Sequence, residues 1–217
     1  ITARLKYQNE KRMEVHKLVF SPYTAVLSHN IAALLPSDLN KCFFPNSGGE
    51  AVEGALKLAY RASKGKRDYI LHSDRGYHGK LIASGSISAN DSEENVFPVL
   101  LNKMQFEYGN IESVTKLINK LKKNGKSNIY AIIIEPFCAN IYESCSKDFL
   151  FELRKLCNDH NIALIFDEVY TGWGKTGYLF YFMKYSGLFP DILTMSKSIG
   201  GGKSSISCFV TRDKLFF

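Results

Sequence analysis

The run Ile129-Tyr130-Ala131-Ile132-Ile133-Ile134 ends at Glu135-Pro136, and the run Ile162-Ala163-Leu164-Ile165-Phe166 ends at Asp167-Glu168. Both runs are continuously apolar, and the first is rich in β-branched residues, which is typical of strands buried on both faces of a parallel sheet. Residues 149–158 between them have helical periodicity. Strand, helix and strand at these intervals indicate a right-handed crossover and predict an α/β domain with a mainly parallel sheet.

The rest of the chain repeats this alternation of short β-rich runs and helical stretches. Ala51, Ala55 and Ala59 recur at helical spacing and predict a helix over residues 49–63. A second helix is predicted at residues 110–123, and the remaining strands at residues 41–44, 68–72, 192–195 and 206–210. The expected architecture is a sheet flanked by helices.

Composition and length favour a single domain. The 217 residues are 45% hydrophobic and 23% charged, an ordinary globular composition that can bury one large core. No segment approaches the roughly 18 continuous apolar residues of a membrane span, and the mixed charges of the first twenty residues exclude a secretory leader. We therefore expect one domain over residues 1–217 with no membrane association. Because the chain begins with Ile1 and stops at Phe217 after an apolar stretch, we expect it to be part of a longer protein.

Cysteine usage and charge exclude other classes. The cysteines are odd in number, scattered and without a CxxC pair, so neither a disulfide framework nor a metal site is indicated; they are Cys42, Cys138, Cys145, Cys157 and Cys208. Reduced thiols favour a cytoplasmic protein. Lys and Arg exceed Asp and Glu by 28 to 21, but the excess is spread out, and groups such as Lys64, Lys66 and Arg67 are interpreted as solvated helix ends. No nucleic-acid partner is expected.

Asn46-Ser47-Gly48-Gly49-Glu50 joins a predicted strand to a predicted helix. Paired glycines at such a junction let backbone N–H groups approach an anion at the positive end of the helix, so this segment is a candidate phosphate loop. Taken alone, the segment is more typical of a tight turn with a Ser or Asn helix cap.

Two further glycine clusters carry the GK[ST] ending of a nucleotide P-loop, namely Gly202-Lys203-Ser204 and Gly174-Lys175-Thr176. Both lack the first glycine of the motif, since its position is occupied by Lys197 in one case and by Val169 in the other. Neither joins a strand to a helix start in the expected way. A nucleotide-binding P-loop is therefore not predicted.

Asp167 and Lys197 each follow an apolar strand at the edge where the ligands of α/β sheets collect. An Asp at a strand end more often caps a turn or pairs with an Arg than binds a ligand. The other functional interpretation is a Walker-B acid that binds a nucleotide-bound metal, and the absence of a P-loop makes that interpretation weaker. Lys197 stands between an apolar strand and Gly200-Gly201-Gly202, where partial desolvation would depress its pKa and suit it to imine formation. A lone Lys is usually surface charge, so these residues become informative only together.

In combination, the motifs resemble the large domain of the class III, or omega-type, aminotransferases, which depend on pyridoxal 5'-phosphate (PLP) and have fold type I. The resemblance covers residues 21–217, and its motifs occur in family order. They are the phosphate-loop segment 46–51, Tyr77-His78-Gly79, Glu135-Pro136, Asp167-Glu168-Val169, Thr171-Gly172-Trp173-Gly174-Lys175-Thr176-Gly177, and Pro190-Asp191-Ile192 through Ser196-Lys197 to Gly200-Gly201-Gly202.

The resemblance implies a role for each residue of the expected cofactor site. Ser47, Gly48 and Gly49 would hold the phosphate, and Tyr77 and Val169 would contact the two faces of the pyridine ring. Catalysis would depend on Asp167, which would keep the ring nitrogen protonated, and on Lys197, which would carry the cofactor as an imine and then act as the base. His78 is expected to be a structural hydrogen-bonding residue. Glu135 would orient the substrate or His78, or pair with a basic group.

Three departures from the family pattern affect substrate preference. Cys138-Ala139-Asn140 replaces the usual Gln-Gly-Glu, so an acidic residue of the substrate gate is lost. Tyr170 stands where many members have a Gln near the cofactor's phenolic oxygen, and Ser205 and Ser207 replace a usual Pro and Gly. The identity of the amine is therefore not transferable from the family.

The function predicted from the sequence is amino transfer from an amine or omega-amino acid to a keto acid. Residues 1–217 would form the PLP-binding large domain of a homodimeric enzyme, with the C-terminal small domain beyond Phe217. A PLP-dependent aminomutase, racemase or decarboxylase would use the same residues, and dependence on a keto acid separates these from a transaminase. A nucleotide-binding module and a non-catalytic scaffold are the alternatives from other classes. A scaffold has no physical need for both Lys197 and Asp167.

Overall fold

The computed structural model describes residues 21–89 and 101–216, together with positions 3, 6, 7 and 10. Its central element is a seven-stranded sheet. In chain order the main elements are α1 (Pro22–Leu34), β1 (Leu39–Phe43), α2 (Gly48–Ala62), β2 (Tyr69–Ser73), α3 (Ile82–Ser86), β3 (Asn102–Phe106), α4 (Ile111–Lys120), β4 (Ile129–Ile134), α5 (Lys147–Asp159), β5 (Ala163–Asp167), β6 (Ile192–Met195), β7 (Cys208–Arg212) and α6 (Asp213–Phe216).

The strand order is β1-β7-β6-β5-β4-β2-β3. Strands β6, β5, β4, β2 and β3 pair in parallel, whereas β7 is antiparallel to both of its neighbours, β6 and β1. Six strands therefore run in one direction and end at the same edge, where β7 begins. This confirms the predicted α/β class with a mainly parallel sheet.

Helices cover both faces of the sheet. One core cluster joins the sheet to α1, α4 and α5 through residues such as Ile31, Ile118 and Leu153, and the other joins it to α2 through Val52 and Leu56. All six residues of β4 are buried, because three of its side chains belong to one core and three to the other. Burial on both faces of the sheet explains why residues 129–134 form a continuous apolar run.

Helix α2 approaches the sheet closely at Gly54. A Cβ atom at this position would lie 2.3 Å from Cε1 of Phe209 in β7, which no side chain can tolerate without displacing the ring. The glycine therefore sets the distance between helix and sheet. Because α2 begins at the candidate phosphate loop, this packing also fixes that loop against the sheet.

The predicted strands are all present, with ends displaced by one or two residues. Strand β1 lies at Leu39–Phe43 rather than 41–44, β2 at Tyr69–Ser73 rather than 68–72, and β5 at Ala163–Asp167 rather than 162–166. The last strand, β7, lies at Cys208–Arg212 rather than 206–210, because Ser207 donates its backbone N–H to Pro45 before the ladder starts. β6 and β4 match the prediction exactly in their bounds.

The helix predictions were less accurate at their ends. Helix α2 begins one residue earlier than predicted, and α5 is longer than residues 149–158, because Ser146 caps its first turn. The predicted helix 110–123 was wrong beyond residue 120, since Lys122–Lys123 forms a small antiparallel ribbon with Lys126–Ser127. Strand β3 and helix α1 were not predicted at all.

The interpretation of Arg67 as a solvated helix end was also wrong. Its Nη1 donates to the backbone oxygens of Ile129, His160 and Asn161 at 2.8, 3.0 and 2.8 Å. Arg67 thus ties the start of β4 to the turn before β5, and burial lowers its pKa. This is a structural role.

A buried ion-pair network lies at the opposite edge of the sheet, where β6 begins. Asp191 is 1% exposed, and its Oδ2 accepts hydrogen bonds from Arg154 at 2.8 Å and from the backbone N–H of Leu164 at 2.9 Å. Lys214 Nζ lies 2.7 Å from Oδ1. The network joins α5, β5, β6 and α6.

Two classes of feature are absent from the described residues. No helix among them is long and apolar enough to cross a membrane. Nor do these residues contain a group of three or more His, Cys, Asp or Glu side chains that could hold a metal ion.

Candidate active site

A cavity of about 400 Å³ lies at the edge where the six parallel-running strands end. This volume is within the roughly 300–1,000 Å³ typical of small-molecule sites. Every residue predicted for the cofactor site lines it: Ser47, Gly48, Gly49, Tyr77, His78, Glu135, Asp167, Val169 and Lys197. Topology explains this convergence, since each of these residues lies at or just after the carboxyl end of a strand.

The loop before α2 is rigidly capped. Ser47 Oγ accepts the backbone N–H of Glu50, and Glu50 Oε2 accepts the N–H groups of Asn46 and Ser47 at 2.7 and 3.1 Å. The capping box occupies the N–H groups on either side of Gly48 and Gly49. The N–H groups of these two glycines lie in the first turn of α2, where the helix itself provides no acceptor, and so they are available to an anion. A Cβ on Gly48 would lie 2.9 Å from Val169 Cγ1, so glycine is needed for the close approach.

Two serines that depart from the family pattern brace this loop from behind. Ser205 Oγ donates to the carbonyl of Asn46, and Ser207 Oγ donates to the carbonyl of Ser47, both at 2.7 Å. Ser207 is fully buried, whereas Ser205 is exposed. They can reach the loop because β7 starts at this edge of the sheet and pairs with β1.

Asp167 is a buried carboxylate held by three donors. Its Oδ1 accepts hydrogen bonds from Val169 N–H at 3.1 Å and from Thr194 Oγ1 at 2.9 Å, and its Oδ2 lies 2.7 Å from His78 Nδ1. The carboxylate is 3% exposed. Asp167 therefore does cap the following turn, as an ordinary strand-end Asp would, but it is also bonded to His78 and faces the cavity.

His78 is fixed by that contact. Its backbone N–H donates to Ser88 Oγ at 2.8 Å, and its ring is 2% exposed with Nδ1 on Asp167. Because a carboxylate only accepts, Nδ1 carries the hydrogen in this pair. Nε2 is buried without a hydrogen-bond partner in the described structure. The expected structural role of His78 now has a definite target, the carboxylate of Asp167.

Glu135 binds backbone groups rather than a basic side chain. Its Oε1 accepts the N–H of Tyr77 at 2.8 Å, and its Oε2 accepts the N–H of Ala139 at 3.3 Å. Burial, with a smaller contribution from the nearby Asp167, raises its pKa. Of the alternatives considered for Glu135, pairing with a basic group is not observed, because no described cation lies within ion-pair distance. It fixes Tyr77 and the residues after its own strand.

Lys197 follows β6 in a single 3₁₀ turn, Lys197–Gly200. Its φ is +48°, a left-handed conformation that is costly for a residue with a Cβ and is characteristic of functional sites. Partial burial and the Lys175 ammonium lower its pKa, whereas Asp167 and Glu135 act in the opposite direction. A lysine with a depressed pKa is a better nucleophile at neutral pH.

Sequence reasoning missed several residues of the cavity wall, namely Lys80, Leu81, Ala139 and Ser196, and it missed the contact of Thr194 with Asp167. For Thr194 a signal was available, because the parallel pairing of β6 with β5 puts Thr194 opposite Asp167. The other side chains belong to loops whose course the pattern of apolar residues does not specify.

The donor set fits PLP. Gly48 and Gly49 at a helix start suit a phosphate, the buried Asp167 suits a protonated ring nitrogen, and Lys197 suits an aldehyde. Tyr77 and Val169 on the cavity wall supply aromatic and apolar surface for a ring. A larger cavity of about 610 Å³ lies at the opposite edge of the sheet and contains no comparable set of groups.

Known proteins share both sequence and fold with this chain. The family described as aminotransferase class III matches residues 1–216. An (S)-enantioselective omega-transaminase from Thermomicrobium roseum is 26% identical with a TM-score of 0.87, over 97% of this chain and 52% of that one. A transaminase from a marine Virgibacillus is 26% identical with a TM-score of 0.85, over 97% and 50% of the two chains.

The ornithine aminotransferase from Toxoplasma gondii shares the fold at 24% identity, with a TM-score of 0.84 over 99% of this chain and 50% of that one. The chain thus spans about half the length of the solved structures that it matches. The expected fold, the fold type I architecture of PLP-dependent transaminases, is confirmed. With a family match from residue 1 to residue 216, the chain belongs to the class III aminotransferases.

Proposed function

We propose that the protein is a PLP-dependent aminotransferase that moves an amino group from an amine or omega-amino acid to a keto acid. One observation carries the proposal: Lys197, the buried Asp167 and the start of α2 face a single cavity. A nucleotide-binding module has no use for this combination, and neither incomplete P-loop leads into a helix of the α/β sheet. Residues 1–217 are proposed to form the PLP-binding large domain.

Each residue of the cavity has a proposed binding task. Ser47, Gly48 and Gly49 hold the phosphate, with charge-assisted hydrogen bonds from the helix start. Asp167 stabilises positive charge on the ring nitrogen, and Tyr77 and Val169 confine the ring. When bound, PLP supplies an electron sink for the negative charge that develops as the substrate loses its proton.

The chemistry of the chain's own residues is a sequence of proton movements. Lys197 would hold the cofactor covalently through its ε-amine, and the same amine, once free, would serve as the base. Its depressed pKa leaves a larger fraction of free amine, which can accept the proton from the substrate carbon and return it elsewhere. His78 keeps its Nδ1–H on Asp167 and so holds the carboxylate in its orientation toward the cavity.

The visible spectrum of the intact protein with added PLP tests the proposal. We expect an absorbance band of covalently attached cofactor that borohydride reduction makes permanent, and we expect Lys197→Ala to lack it. Lys203→Ala is the matched control, because Lys203 follows the same glycine turn but is exposed and does not line the cavity. If the spectrum of PLP is unchanged by the protein, or if Lys197→Ala retains the band, the proposal fails.

Turnover then separates the amino-transfer reaction from its alternatives. An aminomutase, racemase or decarboxylase would use the same cavity without consuming a keto acid. We expect product formation to require a keto acid in stoichiometric amount. Product formed equally well without a keto acid would identify one of these other reactions.

Ser207→Ala is expected to weaken cofactor binding about fivefold. The substitution removes a 2.7 Å hydrogen bond to the carbonyl of Ser47 from a fully buried site, and one such bond contributes roughly 1 kcal/mol, which corresponds to about a factor of five in affinity. The measurement is the dissociation constant for PLP in the intact protein. Ser204→Ala serves as the control because Ser204 is exposed. Equal affinities in the two variants would show that the brace does not position the loop.

The assembly and location of the enzyme complete the proposal. A homodimer is expected from the family resemblance, and analytical ultracentrifugation of the intact protein tests it. Cytoplasmic location is supported by cysteines that are all free in the described structure, and cell fractionation tests it.

A further inference from the structure

Two ammonium groups share one aromatic ring at the mouth of the cavity. Lys197 Nζ lies 5.2 Å from the ring centroid of Tyr170, and Lys175 Nζ lies 4.7 Å from the same centroid. Both distances are within the roughly 6 Å at which a cation is attracted to the face of a ring. Tyr170 itself lines the cavity, directly after Val169.

The ring is a contact that both cations share, whereas Asp167 is the nearby charge that most raises the pKa of Lys197. Among residues 21–89 and 101–216, no carboxylate lies within ion-pair distance of Lys175 or Lys197, although other surface lysines, such as Lys41 and Lys214, do form such pairs.

We infer that Tyr170 is a positioning residue for Lys197, whose ammonium it holds against its ring face while Lys175 competes for the same ring. The inference rests on the proposed role of Lys197 as the cofactor lysine. Tyr170 and Lys175 would thereby set how readily Lys197 loses its proton before it reacts with an aldehyde.

The charges around Lys197 fix the sign of each effect. The titratable or charged groups that line the cavity with it are Tyr77, His78, Lys80, Glu135, Asp167 and Tyr170. Asp167 and Glu135 raise the pKa of Lys197, and burial and Lys175 lower it. A ring face under the ammonium favours the protonated form, so its loss should lower the pKa, whereas loss of the Lys175 charge should raise it.

The experiment is a titration of Lys197 in the intact protein before PLP is added. Lysines are labelled by reductive methylation with ¹³C-formaldehyde, and the resonance of Lys197 is assigned by its absence in Lys197→Arg. We compare Lys175→Gln with Lys175→Gln/Tyr170→Leu, so that movement of Lys175 cannot offset loss of the ring. The double variant should titrate about half a pH unit lower. Lys175→Gln should titrate above the unsubstituted protein.

Tyr170→Phe distinguishes the ring from the hydroxyl. It retains the ring face and should leave the pKa of Lys197 where it was. Equal pKa values in Lys175→Gln and the double variant would overturn the inference. So would a shift on adding Tyr170→Phe to Lys175→Gln that is as large as the shift on adding Tyr170→Leu. Because no cofactor is present in this titration, its failure is distinct from a failure to bind PLP.

Discussion

Asp167→Asn is expected to lower kcat by at least about 10²–10³-fold, which is the typical cost of removing one preorganised electrostatic group from an active site. The substitution removes the only negative charge that Asp167 can offer to a ring nitrogen while preserving the size of the side chain. It also costs at least one hydrogen bond, because the amide nitrogen must face either His78 Nδ1–H or Val169 N–H, and both are donors. Steady-state kinetics of the PLP-loaded intact enzyme are the measurement.

Thr194→Val is the matched control for this prediction. It removes the 2.9 Å hydrogen bond to Asp167 Oδ1 from a buried position, but the carboxylate and its charge remain. We expect a loss of about tenfold or less, in keeping with one neutral donor. If Asp167→Asn and Thr194→Val have similar effects on kcat, the charge of Asp167 is not what supports the reaction.

Asp191→Ala is expected to lower the free energy of unfolding by about 3–5 kcal/mol, because it leaves Arg154 as an uncompensated buried cation. Arg154 is 8% exposed and has the Asp191 carboxylate 2.8 Å from its Nη1. Denaturant unfolding of the intact protein at pH 7 measures the change. Asp213→Asn, in an exposed pair with Lys41, should leave the midpoint nearly unchanged. A loss for Asp191→Ala as small as that of Asp213→Asn would contradict the prediction.

The same network predicts how stability depends on pH. Burial opposes ionisation of Asp191, but Arg154, the N–H of Leu164 and Lys214 together hold its pKa below the ordinary value. A carboxyl group with a depressed folded-state pKa stabilises the protein above its unfolded pKa, and this contribution is lost as pH falls through the folded value. The acid limb of the stability profile should therefore flatten in Asp191→Ala.

The sequence was informative wherever one physical requirement dominated. A strand buried on both faces needs a continuous apolar run, so β4 was located to the residue. Parallel strands in one sheet must end at the same edge, which is why residues as distant as Ser47 and Lys197 could be assigned to one site from the sequence. The family motifs then supplied the chemistry.

Other features depend on contacts that no local pattern records. Strand β3 has the sequence Asn-Lys-Met-Gln-Phe and lies at the edge of the sheet, where polar side chains are tolerated and the apolar signal is weak. The end of α4 was misplaced because a lysine-rich ribbon follows it, and lysines suit a helix as well as an exposed turn. The contact of Tyr170 with two lysines could not be predicted either, because it depends on the course of the loop that carries Lys175.

The brace on the phosphate loop has a consequence for biosynthesis. Ser205 and Ser207 reach the carbonyls of Asn46 and Ser47 across 159 and 160 residues of sequence. Contacts of such long range form late, because loop closure must precede them. In a ribosome-bound chain whose β7 segment has not yet emerged, α2 and its capped first turn can form, but Ser205 and Ser207 are not yet available to brace the loop. Firm capture of the cofactor should therefore follow, and not guide, the docking of β7, and a growing chain exposed to PLP should bind it weakly until β7 is in place.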